Sequence, residues 1–261
     1  MDFASFYDNQ QDYAGFRNDP VKRENYSVIV DWKVRNIISL IPEGFTASNI
    51  LEVGCAFGVL LNNISDRLQI QSRTGIDISV NNIEAAKKLY PDCSFFQGTV
   101  EEFFGIIPDE IPEHRFDVVV LSDIVEHIPD DLGFLQDINK ISSYVLLNLP
   151  LEKSFTTRKR QYGEQDPSGH LRCYDEKDAG RLVKRAGFEV IKDFTSIGFF
   201  DKSFRRVYKE IRRERLHLKP WPKKWFWSVF YFLEDRIKLI NKGLTTRFIG
   251  CNYFAMLKAG I

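Results

Sequence analysis

Hydrophobic positions along this 261-residue chain alternate between two rhythms. Short apolar runs, the pattern of strands buried on both faces, occur at "NILEVG" (49–54), "TGIDI" (74–78), "CSFFQG" (93–98), "FDVVVLSDI" (116–124), "SYVLLNL" (143–149) and "FEVIKDF" (188–194). Between them the spacing becomes helical. Leu60, Ile64 and Leu68 mark one helix, and Ile83, Ala86 and Leu89 a second with Ser79 as its N-cap. Leu132, Leu135, Ile138 and Ile141 mark a third. A fourth is capped by Asp175 and stops at Gly187. Ahead of all these, Tyr26, Val30, Val34, Ile37, Ile38 and Ile41 predict an amphipathic helix over 21–41. Strands alternating with helices of this length predict an α/β fold, a Rossmann-like parallel sheet with helices on both faces.

The last strand candidate, "CNYFAMLKA" (251–259), comes about sixty residues later. The intervening segment predicts a helical insertion. Phe200, Phe204, Val207, Tyr208 and Ile211 share one face, Pro220 and Pro222 break the helix, and Phe226, Val229, Phe230, Leu233, Ile237 and Ile240 follow in register. The expected organisation is an N-terminal helical cap (1–44), a core (45–198), a basic aromatic insertion (199–247) and a final core strand (248–261).

Composition narrows the class. At 44% apolar and 28% charged the chain is ordinary for a globular protein, and no stretch reaches the roughly 20 apolar residues of a membrane span. The N-terminus "MDFASFYDNQQDYAGF" has no signal-peptide character. Cys55, Cys93, Cys173 and Cys251 have no ligand spacing, so a reduced, cytoplasmic protein is expected, and no metal ligand set is assigned. The net charge of zero hides an asymmetry. From Asp201 to Arg247 there are 14 Lys/Arg against 5 Asp/Glu, an excess of +9 that the remainder balances. Such a segment points to an anionic partner.

Candidate chemistry concentrates at "LEVGCAFGVL" (51–60), where two glycines follow the first strand. In a doubly wound sheet this turn comes nearest the ligand, and glycine lets the backbone approach. The spacing is Gly54-Cys55-Ala56-Phe57-Gly58, with Val59 where a dinucleotide fingerprint needs its third glycine. Glu52 before the turn suits a cationic ligand better than a pyrophosphate.

"LEVGCAFG" resembles motif I of the class I S-adenosylmethionine-dependent methyltransferases, with Ala56 in place of a middle glycine. "GIDIS", "FQGTVEEF" (96–103), "FDVVVLSDIVEHIPD" (116–130) and "GHLRCYDEKDAGRLVKRAGFEV" (169–190) resemble later segments of that family in order, particularly the small-molecule, ubiquinone-biosynthesis type. The resemblance covers roughly 45–195 plus the final strand. It implies a seven-stranded sheet with the last strand antiparallel and S-adenosyl-L-methionine as cofactor. Gly54 and Gly58 would approach its methionine part, Asp77 its ribose, and Thr99, Val100 and Glu101 its adenine, with Glu52, Cys55, Ala56 and Ile78 also expected in the cofactor site. Ser122 would lie nearby, at the end of the fourth strand.

Two histidines are candidate bases, since a hydroxyl acceptor must lose a proton as it is methylated. His127 follows Asp123 and Glu126; in some quinone-type relatives an acid and a Glu-His pair hold a divalent metal, which Asp123, Glu126 and His127 match only approximately. Alternatively His127 packs under the strand. His170 follows the basic loop Arg158–Arg160 and is expected near the acceptor, or else bonds to backbone. The expected activity is methyl transfer to a small-molecule or glycan/lipid-linked acceptor, on oxygen. A tRNA or protein acceptor, or a non-catalytic binding role, is the alternative. The insertion is either a lid over the pocket or, with Trp221, Trp225, Trp227 and Tyr231 among Lys223 and Lys224, a contact for an anionic membrane surface. Nucleic acid is disfavoured because the acidic body offers no extended basic track.

Overall fold

The computed structural model describes residues 3–9, 15–16, 18–106, 116–163, 166–217, 220–240 and 250–260. Helix α1 (Phe3–Asn9) and helix α2 (Pro20–Ile38) precede the first strand. Pro20 opens α2, where a missing amide costs nothing, and the Asp19 carboxylate accepts from the Val21 and Lys22 amides. Val30, Val34 and Ile37 are buried at i, i+4, i+7 spacing. Trp32 lies off that stripe yet is buried, because Phe204 and Phe254 meet its ring at 5.0 and 5.5 Å. A second side of α2 is therefore covered by the distant insertion.

The core alternates β1 (Asn49–Val53), α3 (Val59–Leu68), β2 (Ser72–Asp77), α4 (Val80–Leu89), β3 (Ser94–Gln97), α5 (Val100–Ile106), β4 (Phe116–Ser122), α6 (Asp131–Ile141), β5 (Ser142–Leu151), α7 (Glu176–Arg185) and β6 (Phe188–Ser196). After β6 come α8 (Lys202–His217), α9 (Trp221–Ile240) and β7 (Cys251–Ala259). The seven strands run in the order β3-β2-β1-β4-β5-β7-β6, parallel except for β7, which pairs antiparallel with both β5 and β6. This is the expected Rossmann-like sheet with a helical insertion before its last strand.

Pleating divides the core into two layers. Leu51, Val53, Val119, Leu121, Val145 and Leu147 face one side of the sheet, while Ile50, Val118, Val120 and Leu146 face the other. Each such buried aliphatic side chain contributes about 1.5–3 kcal/mol. The expected caps are present: Ser79 Oγ accepts from the Asn82 amide, and Asp175 forms a capping box with Asp178. Gly187 ends α7 with φ +87°.

The two helices of the insertion differ. Val207 is buried and Phe204 packs on Trp32, so α8 belongs to the core. Phe226, Val229 and Phe230 of α9, which the lid alternative would have covering a pocket, are exposed. The side chains of Leu233, Ile237 and Ile240, and residues 241–247, lie outside the described residues.

Candidate active site

The turn after β1 is held by the end of β2. The Gly54 and Cys55 amides both donate to the Ile76 carbonyl, at 2.8 and 2.9 Å, and the Ala56 amide donates to Asp77 Oδ2 at 2.8 Å. Asp77 Oδ1 accepts from the Ser79 amide at 2.9 Å and from Asn82 Nδ2 at 3.3 Å. Burial still raises the Asp77 carboxyl above the ordinary aspartate range, the Ser79 and Ala56 amides and Asn82 opposing that shift.

Asp77 lines a cavity of about 250 Å³ at the C-terminal ends of the strands, together with Gly54, Ile78, Thr99, Val100 and Glu101. Six of the expected cofactor residues thus meet at one surface. Gly54 has φ +73°, and a Cβ there would lie 2.9 Å from Ile124 Cδ1. The backbone must therefore pass close to the cavity wall without a side chain.

Glu52, Cys55, Ala56, Gly58 and Ser122 do not line this cavity. Glu52 points to the opposite side of the sheet from Val53, accepts from the Leu61 amide, and keeps its other oxygen unpartnered among the described residues. Burial raises its carboxyl far above the ordinary range. Cys55 is buried, and its Sγ sits against Gly75. Ala56, with φ +46°, acts through its amide on Asp77. Gly58 serves packing: φ is +82°, and a Cβ would lie 2.8 Å from Phe95 Cζ. Ser122 Oγ donates to Asp123 Oδ2 at 2.8 Å.

Beyond β4 the chain turns sharply at Asp123, whose φ of +54° is rare for a non-glycine residue. Lys33 Nζ at 2.6 Å, Ser122 Oγ at 2.8 Å and Asn148 Nδ2 at 3.0 Å hold its Oδ2. A short 3-10 turn, Val125–His127, then places Glu126 inward and His127 on the cavity wall. His127 Nδ1 faces the Gly169 carbonyl at 2.9 Å and the Tyr7 hydroxyl at 2.8 Å. Because a carbonyl only accepts, Nδ1 carries the proton and Nε2 keeps the lone pair. Burial, with His170 adding to it, pushes the imidazole down to about 4.

His170 sits edge-on to His127, ring centroids 4.8 Å apart, and does not line the cavity. Its Nδ1 meets Glu152 Oε2 at 2.7 Å, and Arg160 Nη1 donates to Glu152 Oε1 at 2.7 Å. Arg160 in turn grips buried Asp166 with Nε at 2.6 Å and Nη2 at 2.7 Å. The Leu171 amide donates to the Glu126 carbonyl at 2.9 Å, tying the loop to the 3-10 turn.

Glu126 lies between the rings. It is buried, and neither carboxylate oxygen has a hydrogen-bond partner among the described residues. Burial, with Asp123 adding to it, raises its carboxyl well above the ordinary range. His127 Nε2 and His170 Nε2 stand 3.7 and 4.0 Å from Glu126 Oε1. The three donors lie within 4.8 Å of one another and could hold a divalent cation. The acid-plus-Glu-His set considered from sequence is thereby altered: Asp123 is engaged by Lys33, and His170 takes its place.

Sequence reasoning missed Tyr7 and Asn82 as wall residues and weighed Asp123 only for a metal set, whereas all three line the cavity. Asn82 had a signal, one helical turn beyond an acid that ends a strand. Tyr7 had none, because its place depends on α1 folding back across the sheet.

A family described as "Methyltransferase domain" matches residues 23–193, about two-thirds of the chain. The chain belongs to that family, and its domain is a class I, S-adenosylmethionine-dependent methyltransferase. Among curated relatives, a ubiquinone biosynthesis O-methyltransferase of Histophilus somni is 32% identical over 97 residues, covering 36% of this chain and 40% of the relative. A mitochondrial ubiquinone biosynthesis O-methyltransferase of Dictyostelium discoideum is 29% identical over 119 residues, covering 41% and 35%. The matches thus span less than half of those relatives. Two solved structures share the fold. Phosphoethanolamine N-methyltransferase 2 of Haemonchus contortus, with S-adenosylhomocysteine, has a TM-score of 0.68 at 15% identity, covering 100% of this chain and 61% of that one. Magnesium protoporphyrin IX methyltransferase of Synechocystis PCC 6803, also bound to S-adenosylhomocysteine, has 0.58 at 12% identity and covers 98% of each chain.

Proposed function

We propose that this protein methylates a hydroxyl oxygen of a small-molecule or glycan/lipid-linked acceptor. The cavity suits the cofactor. Asp77 has two oxygens with room for about four hydrogen bonds, of which three are used, leaving capacity for a ribose hydroxyl. The Gly54 backbone would face the methionine part, and Thr99–Glu101, on the same wall, would take adenine. When bound, S-adenosylmethionine supplies an electrophilic sulfonium methyl group.

The observation that carries oxygen as the target is the placement of His127, on the cavity wall with Nδ1 committed to the Gly169 carbonyl. Burial pushes its imidazole down to about 4, which favours the neutral form a base needs. Nε2 would accept the hydroxyl proton as the oxygen takes the methyl group. Glu126 Oε1 lies 3.7 Å from the same nitrogen. His170, behind His127 and anchored by Glu152, acts as a positioning group in this reading rather than as a second base. Holding the acceptor in line supplies most of the remaining rate. The names of the curated relatives, both O-methyltransferases, support the same choice of atom.

The test is transfer of labelled methyl to a panel of phenols, catechols and sugar alcohols, with matched amines and thiols. Methylated hydroxyl products, reduced at least about 100-fold in His127→Gln, are expected. Product formed only on nitrogen or sulfur would overturn the oxygen assignment.

A further inference from the structure

We propose that the outward face of α9 docks this protein onto an anionic lipid bilayer surface. Among the described residues of α9, Lys224, Trp227, Tyr231 and Asp235, at three- and four-residue spacing, are the partly buried positions. Arg212 of α8 reaches Asp235 at 3.2 Å and lies 4.2 Å over the Tyr231 ring, and Lys209 reaches Asp235 at 3.3 Å. The helix is thus fastened to the protein along its polar, aromatic edge. The other side carries Trp225 (64% exposed), Phe226 (58%), Val229, Phe230 and Phe232 (59%), with Trp221 at the helix start. A surface helix of a globular protein ordinarily buries such a stripe.

Charge identifies the occupant. The segment from Asp201 to Arg247 carries an excess of +9, and Lys223 and Arg236 are exposed beside this stripe. Two copies meeting through this face would set like charge against like charge, whereas an anionic headgroup layer complements it. Tryptophan among lysines favours the headgroup boundary, and a helix that is apolar on one side lies in that plane. Among the described residues no helix is long and apolar enough to cross a membrane, so α9 rests on the bilayer. Among the described residues, none that lines the cavity comes from α8 or α9. The docking reading therefore stands apart from the identity of the acceptor.

The test is flotation of the full chain with vesicles of phosphatidylcholine containing about one-third phosphatidylglycerol, against phosphatidylcholine alone. The result expected is binding to the anionic vesicles only, weakened at high salt, with a blue shift of tryptophan emission. Phe226→Glu combined with Phe230→Glu should reduce vesicle binding at least about tenfold. Calorimetric affinity for S-adenosylhomocysteine should be unchanged in that variant, showing that the fold and cofactor site persist. Failure of the wild type to float with anionic vesicles at low salt would overturn the proposal, as would undiminished binding by the double variant. A dimer in solution that the double variant disperses would assign the face to a second copy and also overturn it. Loss of methyl transfer with flotation intact would bear on the acceptor reading alone.

Discussion

The Ala56 amide donates to Asp77 Oδ2 at 2.8 Å, joining the turn after β1 to the acid that ends β2. One carboxylate therefore shapes the glycine turn and also lines the cavity. Asp77→Ala removes both contributions. S-adenosylhomocysteine affinity is expected to fall at least about 100-fold by calorimetry, the scale of one or two hydrogen bonds to a charged group. Asp77→Asn, which keeps one acceptor oxygen, should fall between the wild type and Asp77→Ala. Unchanged affinity in Asp77→Ala would remove Asp77 from the site.

The two glycines of the turn do different work, and Gly58 can be separated from ligand binding. Its φ of +82° and the 2.8 Å approach to Phe95 Cζ make Gly58→Ala strained and crowded. Urea unfolding should show a loss of about 1–3 kcal/mol. A Cβ added at Gly180, within α7, would meet nothing within 4 Å, so Gly180→Ala should stabilise by about 0.5–1 kcal/mol.

Glu152 is buried enough to raise its carboxyl, yet the His170 hydrogen bond and Arg160 bring it below the ordinary glutamate range. It therefore stays ionised and fixes His170 against His127. Glu152→Gln should lower kcat about tenfold while leaving the affinity for S-adenosylhomocysteine within about twofold, because the change is relayed through His170. Steady-state kinetics beside calorimetry separates the two. An equal loss in both would mean that Glu152 acts on the whole cavity.

The depressed His127 imidazole carries a pH signature. Its ordinary value is 6.5 and its folded value about 4, so in that interval the unfolded chain takes up a proton that the fold refuses. Stability from this group is complete above about pH 6.5 and is lost as the solution is acidified towards about pH 4, by at most about 3 kcal/mol. Glu126 has the opposite sign, since its raised carboxyl is protonated first in the fold, but it is present in both wild type and His127→Gln. The stability difference between those two proteins, followed by urea unfolding, should therefore narrow across this interval. A constant difference would mean that His127 is not desolvated as described.

The parallel sheet was legible because its strands are buried on both faces, which writes continuous apolar runs such as "VVVL" into β4. Caps at Ser79 and Asp175 were legible for a local reason, a short polar side chain just before a helical period. The cavity was only half legible. Asp77 and Thr99–Glu101 follow from strand ends, but Tyr7 reaches His127 across 120 positions, and no short-range pattern encodes that contact. Glu52 was misplaced because the pleat, rather than proximity in sequence, decides which side of the sheet a residue serves. Sequence left the apolar stripe of α9 open between a lid and a surface contact, because periodicity reports that a helix has an apolar face and says nothing of what covers it.

The register of β6 and β7 pairs Ser196 with Asn252. The chain leaves the sheet and returns to it at facing residues, so the ladder itself imposes almost no length on what lies between. Lengthening that excursion costs only slowly rising loop-closure entropy. The sheet edge thus acts as a socket, one that can accept or exchange an outer helix while the cofactor cavity, built from other strand ends, keeps its shape.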